Sequence, residues 1–262
     1  MRIALLQAES HPGDVAGNLR RLEPACGSGA DLVVTPEMFL TGYDVGAGAV
    51  RALAEPAGGP SFDQISALAR AHRVAVLYGY PERAGDTVYN AVQLVGPDGA
   101  RLAAYRKTHL FGDLDRTSFS ASPVPPDVVE LHGWNLGLLI CYDAEFPEIV
   151  RGLALRGADV VLVPTANMLD YDVVPDVLVP ARAYENQVYV AYANYVGREG
   201  ALTYGGLSCV AGPSGVPVAR AGRDEELLVA DLDRAALDAS RRETPYLADR
   251  RPELYRGLGE GP

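Results

Sequence analysis

Three residues of different chemistry stand at comparable places in this chain. Glu37 closes the apolar run DLVVTPE, Lys107 closes RLAAYRK and Cys141 closes LGLLIC. Each run reads as a β-strand, and the carboxyl ends of strands in α/β sheets are where loops open a crevice over a rigid floor. A thiol, a carboxylate and an ammonium converging there supply a nucleophile, a proton shuttle and an oxyanion stabiliser, the parts that acyl transfer needs. Taken singly, two of them have plainer explanations. A free cysteine is often just a small buried hydrophobe, and a glutamate at a helix start answers to the helix dipole. The lysine is harder to dismiss: of 23 lysine and arginine residues it is the one lysine. A guanidinium is a broad planar fork, whereas an ammonium is a compact charge able to point three donors at nearby oxygens.

The elements that must hold these groups alternate between β and α patterns. RIALLQAE is followed by a helix through Asn18 to Pro24, then DLVVTPE, a helix near Phe62 to His72, and VAVLYGY from Val74. Tyr89 to Lys107 reads as a hairpin around Pro97-Asp98-Gly99, a turn with a fixed proline φ and a permissive glycine. Leu136 to Asp143, nearly all apolar, reads as one strand buried on both faces. A helix is expected from Pro147 through Arg156, with proline early, where its missing N–H costs little. DVVLVPT, YVAYANYV and ELLVADLD supply further strands, and Gly205 to Ala221 reads as a second hairpin around Pro213-Ser214-Gly215. An internal echo links Gly29 to Pro36 (GADLVVTP) with Gly157 to Pro164 (GADVVLVP), each after a helical segment. Two similar halves with sheets apolar on both faces predict two packed sheets with helices outside.

Composition narrows the function. With 262 residues and 48% hydrophobic content the chain can bury a large core, and no Ser/Gly linker divides it, so one domain spanning 1–262 is expected. A net charge of −11 argues against nucleic acid and anionic membranes as partners and favours a neutral or cationic small molecule. The opening MRIALLQAE is too short for a signal peptide and no run approaches a membrane span, so a cytoplasmic location is expected. Cys26, Cys141 and Cys209, odd in number and widely spaced, fit reduced thiols, and no CxxC or HxxxH pattern calls for a metal. The Arg- and Pro-rich tail from Glu243 to Pro262 lacks core periodicity and is expected to pack on a partner subunit.

PEMFLTGY, YRKTHLFGDLDR and LLICYDAEFPE resemble, in order, the three signatures of the nitrilase superfamily of carbon–nitrogen hydrolases. GYPER, YNAVQL, VPTANM and DRRPELY resemble its aliphatic-amidase branch, which includes the bacterial 5-aminopentanamidases. The resemblance implies a four-layer αββα sandwich, usually a homodimer, and amide hydrolysis without cofactor or metal. It implies Glu37 as general base, Lys107 as transition-state stabiliser with the backbone N–H of Tyr142, and Cys141 as nucleophile forming a thioester. Family members often carry a second glutamate eight residues after the lysine. Here that position is Asp115, expected to support Lys107 or the substrate amide, with Asp113 as the competing candidate. Related carbamoylases carry arginine four residues after the cysteine to bind a carboxylate; here the position is Glu145, a reversed sign that suits a distal ammonium, as in 5-aminopentanamide. Tyr43, Asn167 and Met168 are expected to line the pocket. His109, two residues after Lys107, invites a Cys–His dyad reading, but no catalytic role is expected of it. A nitrilase or a carbamoylase would use the same three residues, and a catalytically silent scaffold would be expected to have lost one of them.

Overall fold

The computed structural model describes residues 1–255. Its first half runs β1 (Arg2–Gln7), α1 (Val15–Cys26), β2 (Leu32–Val34), α2 (Ala47–Leu53), α3 (Pro60–His72), β3 (Ala75–Ala84), β4 (Thr87–Val95), β5 (Arg101–Arg106) and α4 (Gly112–Ser118). The second runs β6 (Val128–Leu131), β7 (Trp134–Leu138), α5 (Pro147–Leu155), β8 (Val160–Pro164), α6 (Val179–Asn186) and β9 (Tyr189–Ala193). There follow a ribbon of β10 (Arg198–Glu199) and β11 (Leu202–Thr203), then β12 (Cys209–Ala211), β13 (Pro217–Arg220), β14 (Glu226–Asp231) and α7 (Arg234–Glu243). No described helix is long and apolar enough to cross a membrane.

The strands form two six-stranded sheets, β14-β1-β2-β3-β4-β5 and β13-β12-β9-β8-β7-β6. Alternation along β1 shows the layering: Ile3 and Leu5 face the second sheet's Leu136, Leu138, Val160 and Leu162 in one core, while Ala4 joins Leu19, Leu22, Ile65 and Ala69 of α1 and α3 on the outside. Val150 and Leu153 of α5 and Val179 and Ala183 of α6 cover the second sheet. The result is an αββα sandwich.

The repeated GAD segments have equivalent places. β2 lies third from the β14 edge of its sheet and β8 third from the β6 edge of the other, and each is parallel to both neighbours. Gly29 and Gly157 take φ of 77° and 90°, which glycine reaches without cost. Asp31 then accepts a hydrogen bond from Arg2 N at 2.7 Å and Asp159 one from Asn135 N at 3.0 Å, fixing each strand beside its neighbour. Their carboxyl ends meet where Glu37 N donates to Thr165 O at 3.3 Å.

Both expected hairpins form, with Gly99 and Gly215 in the left-handed region at 81° and 78°. One expected strand does not. The segment Leu136 to Asp143 leaves strand geometry after Leu138, and Cys141–Glu145 is a 3₁₀ turn. Cys141 therefore begins a tight turn, with φ at +47°, instead of ending a strand. Apolar composition predicted extension, but Asp143 accepts from Ile140 N and from groups of another loop, and these tertiary bonds bend the chain. In the tail, Leu247 packs on this chain's own core while Leu254 and Tyr255 stay exposed; 256–262 lie outside the described residues.

Candidate active site

Glu37 leaves β2 across a glycine made necessary by contact. A Cβ on Gly79 of β3 would lie 2.4 Å from Met38 N and 2.9 Å from Pro36 O, so only glycine lets this segment lie against the strand. Met38 then takes φ of 52°, and Thr41 N and Gly42 N both close on its carbonyl. Lys107 follows β5 directly, its N–H held by Asn90 O of β4 at 2.8 Å. Five residues on, the short helix α4 swings Asp115 back toward the lysine.

These side chains meet in the interior. Lys107 Nζ donates to Glu37 Oε1 and to Asp115 Oδ2, each at 2.7 Å, and all three side chains are fully buried. Asn90 Nδ2 donates to the same Glu37 oxygen at 2.7 Å, and Phe111 N donates to Asp115 Oδ2 at 2.8 Å. Two of the three ammonium donors are thus committed, and one remains for a substrate oxygen. Glu37 Oε2 and Asp115 Oδ1 are buried with no hydrogen-bond partner among the described residues. Asp113, the rival carboxylate, projects into solvent and among the described residues reaches only Arg116, at 3.9 Å.

Burial raises the Glu37 carboxyl above the usual carboxylate range, although Lys107 opposes the shift. Burial alone would lower the Lys107 ammonium, but Glu37 and the other anionic groups around it hold it well above its ordinary value. The Cys141 thiol is pushed far up, first by burial and then by the Glu37 charge. At neutral pH the resting thiol is protonated, so it needs a base at the moment of attack. A carboxyl of raised pKa with one free oxygen is suited to that task.

Around the thiol a cavity of about 250 Å³ is lined by Tyr43, Phe111, Cys141, Tyr142, Glu145, Ala166, Asn167, Met168 and Tyr171. The structure brings every sequence-predicted pocket residue to this one wall, and adds Phe111 and Tyr171, which the sequence did not single out. Burial raises the Glu145 carboxyl, with Lys107 and Arg182 opposing. Arg182 nonetheless directs its donors elsewhere, to Ala144 O at 3.1 Å, Glu145 backbone O at 2.7 Å and Glu185 Oε1 at 3.1 Å. His109 lies outside the lining. β5 ends at Arg106, and the His109 ring turns to Asp143 and stacks on Phe146 with centroids 4.0 Å apart.

Asp143 is the other residue that sequence reasoning missed. Fully buried, it accepts from Tyr105 Oη at 2.9 Å, Thr108 Oγ1 at 2.8 Å and His109 N at 2.9 Å, as well as from Ile140 N at 3.3 Å. One carboxylate therefore ties the cysteine turn to the loop that follows Lys107. Its position two residues after the cysteine was the one available signal.

The carbon–nitrogen hydrolase family model matches residues 2–242. The chain belongs to that family. Among relatives of this hydrolase, a Pseudomonas protegens protein named "Hydrolase in pqqF 5′ region" is 56% identical, covering 99% of this chain and 92% of its own length. The (R)-stereoselective amidase of a Pseudomonas species is 40% identical, covering 96% and 92% respectively. Among solved structures, an amidase from Nesterenkonia sp. AN1, as a cysteine variant in complex with butyramide, matches with a TM-score of 0.84 at 38% identity, covering 98% of this chain and 96% of its own. Another structure of that amidase shows Michael addition of acrylamide at its active-site cysteine, with a TM-score of 0.85. A further one places it in the nitrilase superfamily.

Proposed function

We propose that this amidase hydrolyses short aliphatic amides that carry a distal ammonium, with 5-aminopentanamide as the representative substrate. The observation that carries the reading is Glu145, a carboxylate in the wall of the cysteine pocket that has no hydrogen-bond or ion-pair partner among the described residues. A cationic end group would compensate its partly buried charge, which otherwise costs free energy.

Glu37 takes the Cys141 proton through its free oxygen as sulfur attacks the amide carbon. The carbonyl electrons move to oxygen, which the third donor of Lys107 and the Tyr142 N–H stabilise. Glu37 passes its proton to the amide nitrogen, the C–N bond breaks and ammonia leaves. Water, deprotonated by Glu37, then attacks the thioester; the C–S bond breaks, sulfur recovers the proton and the acid departs. Asp115 holds the same ammonium through a second hydrogen bond.

Complexes of variants of a structurally similar amidase with butyramide and with acrylamide support a small acyl pocket. Two chains pair in the same reading, the exposed Leu155, Tyr184, Tyr246 and Leu254 being available at such a contact; light scattering should give twice the chain mass. The substrate reading is tested with Glu145→Arg. Its KM for 5-aminopentanamide should rise far more than its KM for pentanamide, and equal effects on both would remove Glu145 from recognition. Assay of the corresponding nitriles and N-carbamoyl amines beside the amides separates the rival activities.

A further inference from the structure

Three rings from three separate connecting segments line the cysteine pocket. Phe111 follows β5, Tyr142 follows the nucleophile and Tyr171 follows β8. Phe111 meets Tyr142 with centroids 5.3 Å apart and planes at 73°, and meets Tyr171 at 5.8 Å and 87°. Both tyrosine rings therefore stand steeply to the Phe111 plane, so the three form a corner instead of a flat stack. The corner is braced from behind: Tyr142 packs edge-on against Phe146 at 4.9 Å, and Phe146 stacks on His109. The Phe111 backbone is fixed by Asp115 Oδ2, the oxygen that also holds Lys107. Glu145 lies in the same cavity with no cation paired to its side chain among the described residues; Arg182 directs its donors to Ala144 O, Glu145 O and Glu185 Oε1.

We propose that Phe111, Tyr142 and Tyr171, with Glu145, form an aromatic cage for an alkylated ammonium, so that the amidase accepts amides ending in a quaternary trimethylammonium group. The proposal rests on the ω-ammonium reading above and extends it to a head group without N–H donors. A carboxylate alone favours a primary ammonium, which can hydrogen-bond to it. Ring faces attract a cation through their quadrupole and need no donor, so they retain a methylated head while burying its methyl groups. A carboxylate with three rings that pack on one another supplies both charge compensation and apolar contact within one cavity.

The test compares kcat/KM of the full chain for 5-(trimethylammonio)pentanamide and its uncharged isostere 6,6-dimethylheptanamide, which differ in charge at nearly constant shape. A cage contribution of about 1 kcal/mol predicts a preference for the cation of about fivefold or more. Tyr171→Leu should lower that preference by about threefold or more, and tetramethylammonium should inhibit butyramide hydrolysis competitively in the parent and less in the variant. A preference below about threefold overturns the cage, as does failure of both bulky amides together with absent tetramethylammonium inhibition. Parallel rates for 5-aminopentanamide and pentanamide keep the two ideas apart. If the primary ammonium is favoured and the quaternary one is not, the cage fails and the ω-ammonium reading stands. If neither cation is favoured, both fail, while butyramide turnover still reports on the amidase itself.

Discussion

Replacing Lys107 with arginine preserves the charge and isolates the geometry. In the native site Nζ donates to Glu37 and Asp115 at 2.7 Å each, inside a shell that leaves none of the side chain exposed. A guanidinium can replace both bonds only by moving its planar fork into space already filled, and its remaining N–H groups then point along fixed directions instead of toward the reacting oxygen. Losing one oxyanion donor typically lowers kcat by about 100- to 1000-fold. Overpacking a filled site adds a stability cost of about 1–3 kcal/mol, which in a chain of this size lowers Tm by roughly 2–10 °C. Steady-state ammonia release from butyramide, with calorimetry on the same samples, separates the two effects. A folded Lys107→Arg enzyme whose kcat stays within about tenfold of the parent refutes the argument for a point charge aimed at one oxygen.

Gly79→Ala places a methyl group against the Met38 amide, so Glu37 must move; kcat for butyramide should fall by about tenfold or more while the variant remains folded by circular dichroism, and unchanged kcat would show that the segment yields freely. Asp143→Asn removes the charge that joins the cysteine turn to Thr108 and His109. A loss of about 1.5–3 kcal/mol per charge-assisted bond should appear as a lower Tm, and a kcat reduction larger than any change in KM would identify positioning as its role. Because burial raises the Glu37 carboxyl, its carboxylate form disappears at a pH above the ordinary glutamate range. The rate kcat/KM for neutral butyramide should therefore fall on acidification with a midpoint clearly above about 4.5, and a midpoint at or below that value would contradict the assigned base.

The sequence carried the types of the reacting groups and the places where strands deliver them. The GAD echo was legible because each copy needs the same left-handed glycine and the same aspartate bond at the start of a neighbouring strand. The turn at Cys141 was not, since the residues that bend it, Tyr105, Thr108 and His109, are distant in sequence and an apolar run has no local sign of their pull. For the same reason Asn90 was visible only as part of a motif, although it shares the Glu37 oxygen with Lys107 across 53 positions. Asp115 and Asp113 were equivalent as residue types. What separates them is the direction in which α4 faces, one carboxylate inward and one to solvent. Phe111 lies in a loop and Tyr171 in a single 3₁₀ turn, Leu169–Tyr171, where composition does not report which side chains turn to the cavity.

The thioester at Cys141 is the point on which the account turns, and mass spectrometry of the acid-quenched enzyme during butyramide turnover observes it directly. A butyryl adduct is expected on the peptide containing Cys141, absent before substrate is added, with loss of both adduct and ammonia release in Cys141→Ala. Undiminished ammonia release from that variant, or an adduct on another residue alone, would contradict it.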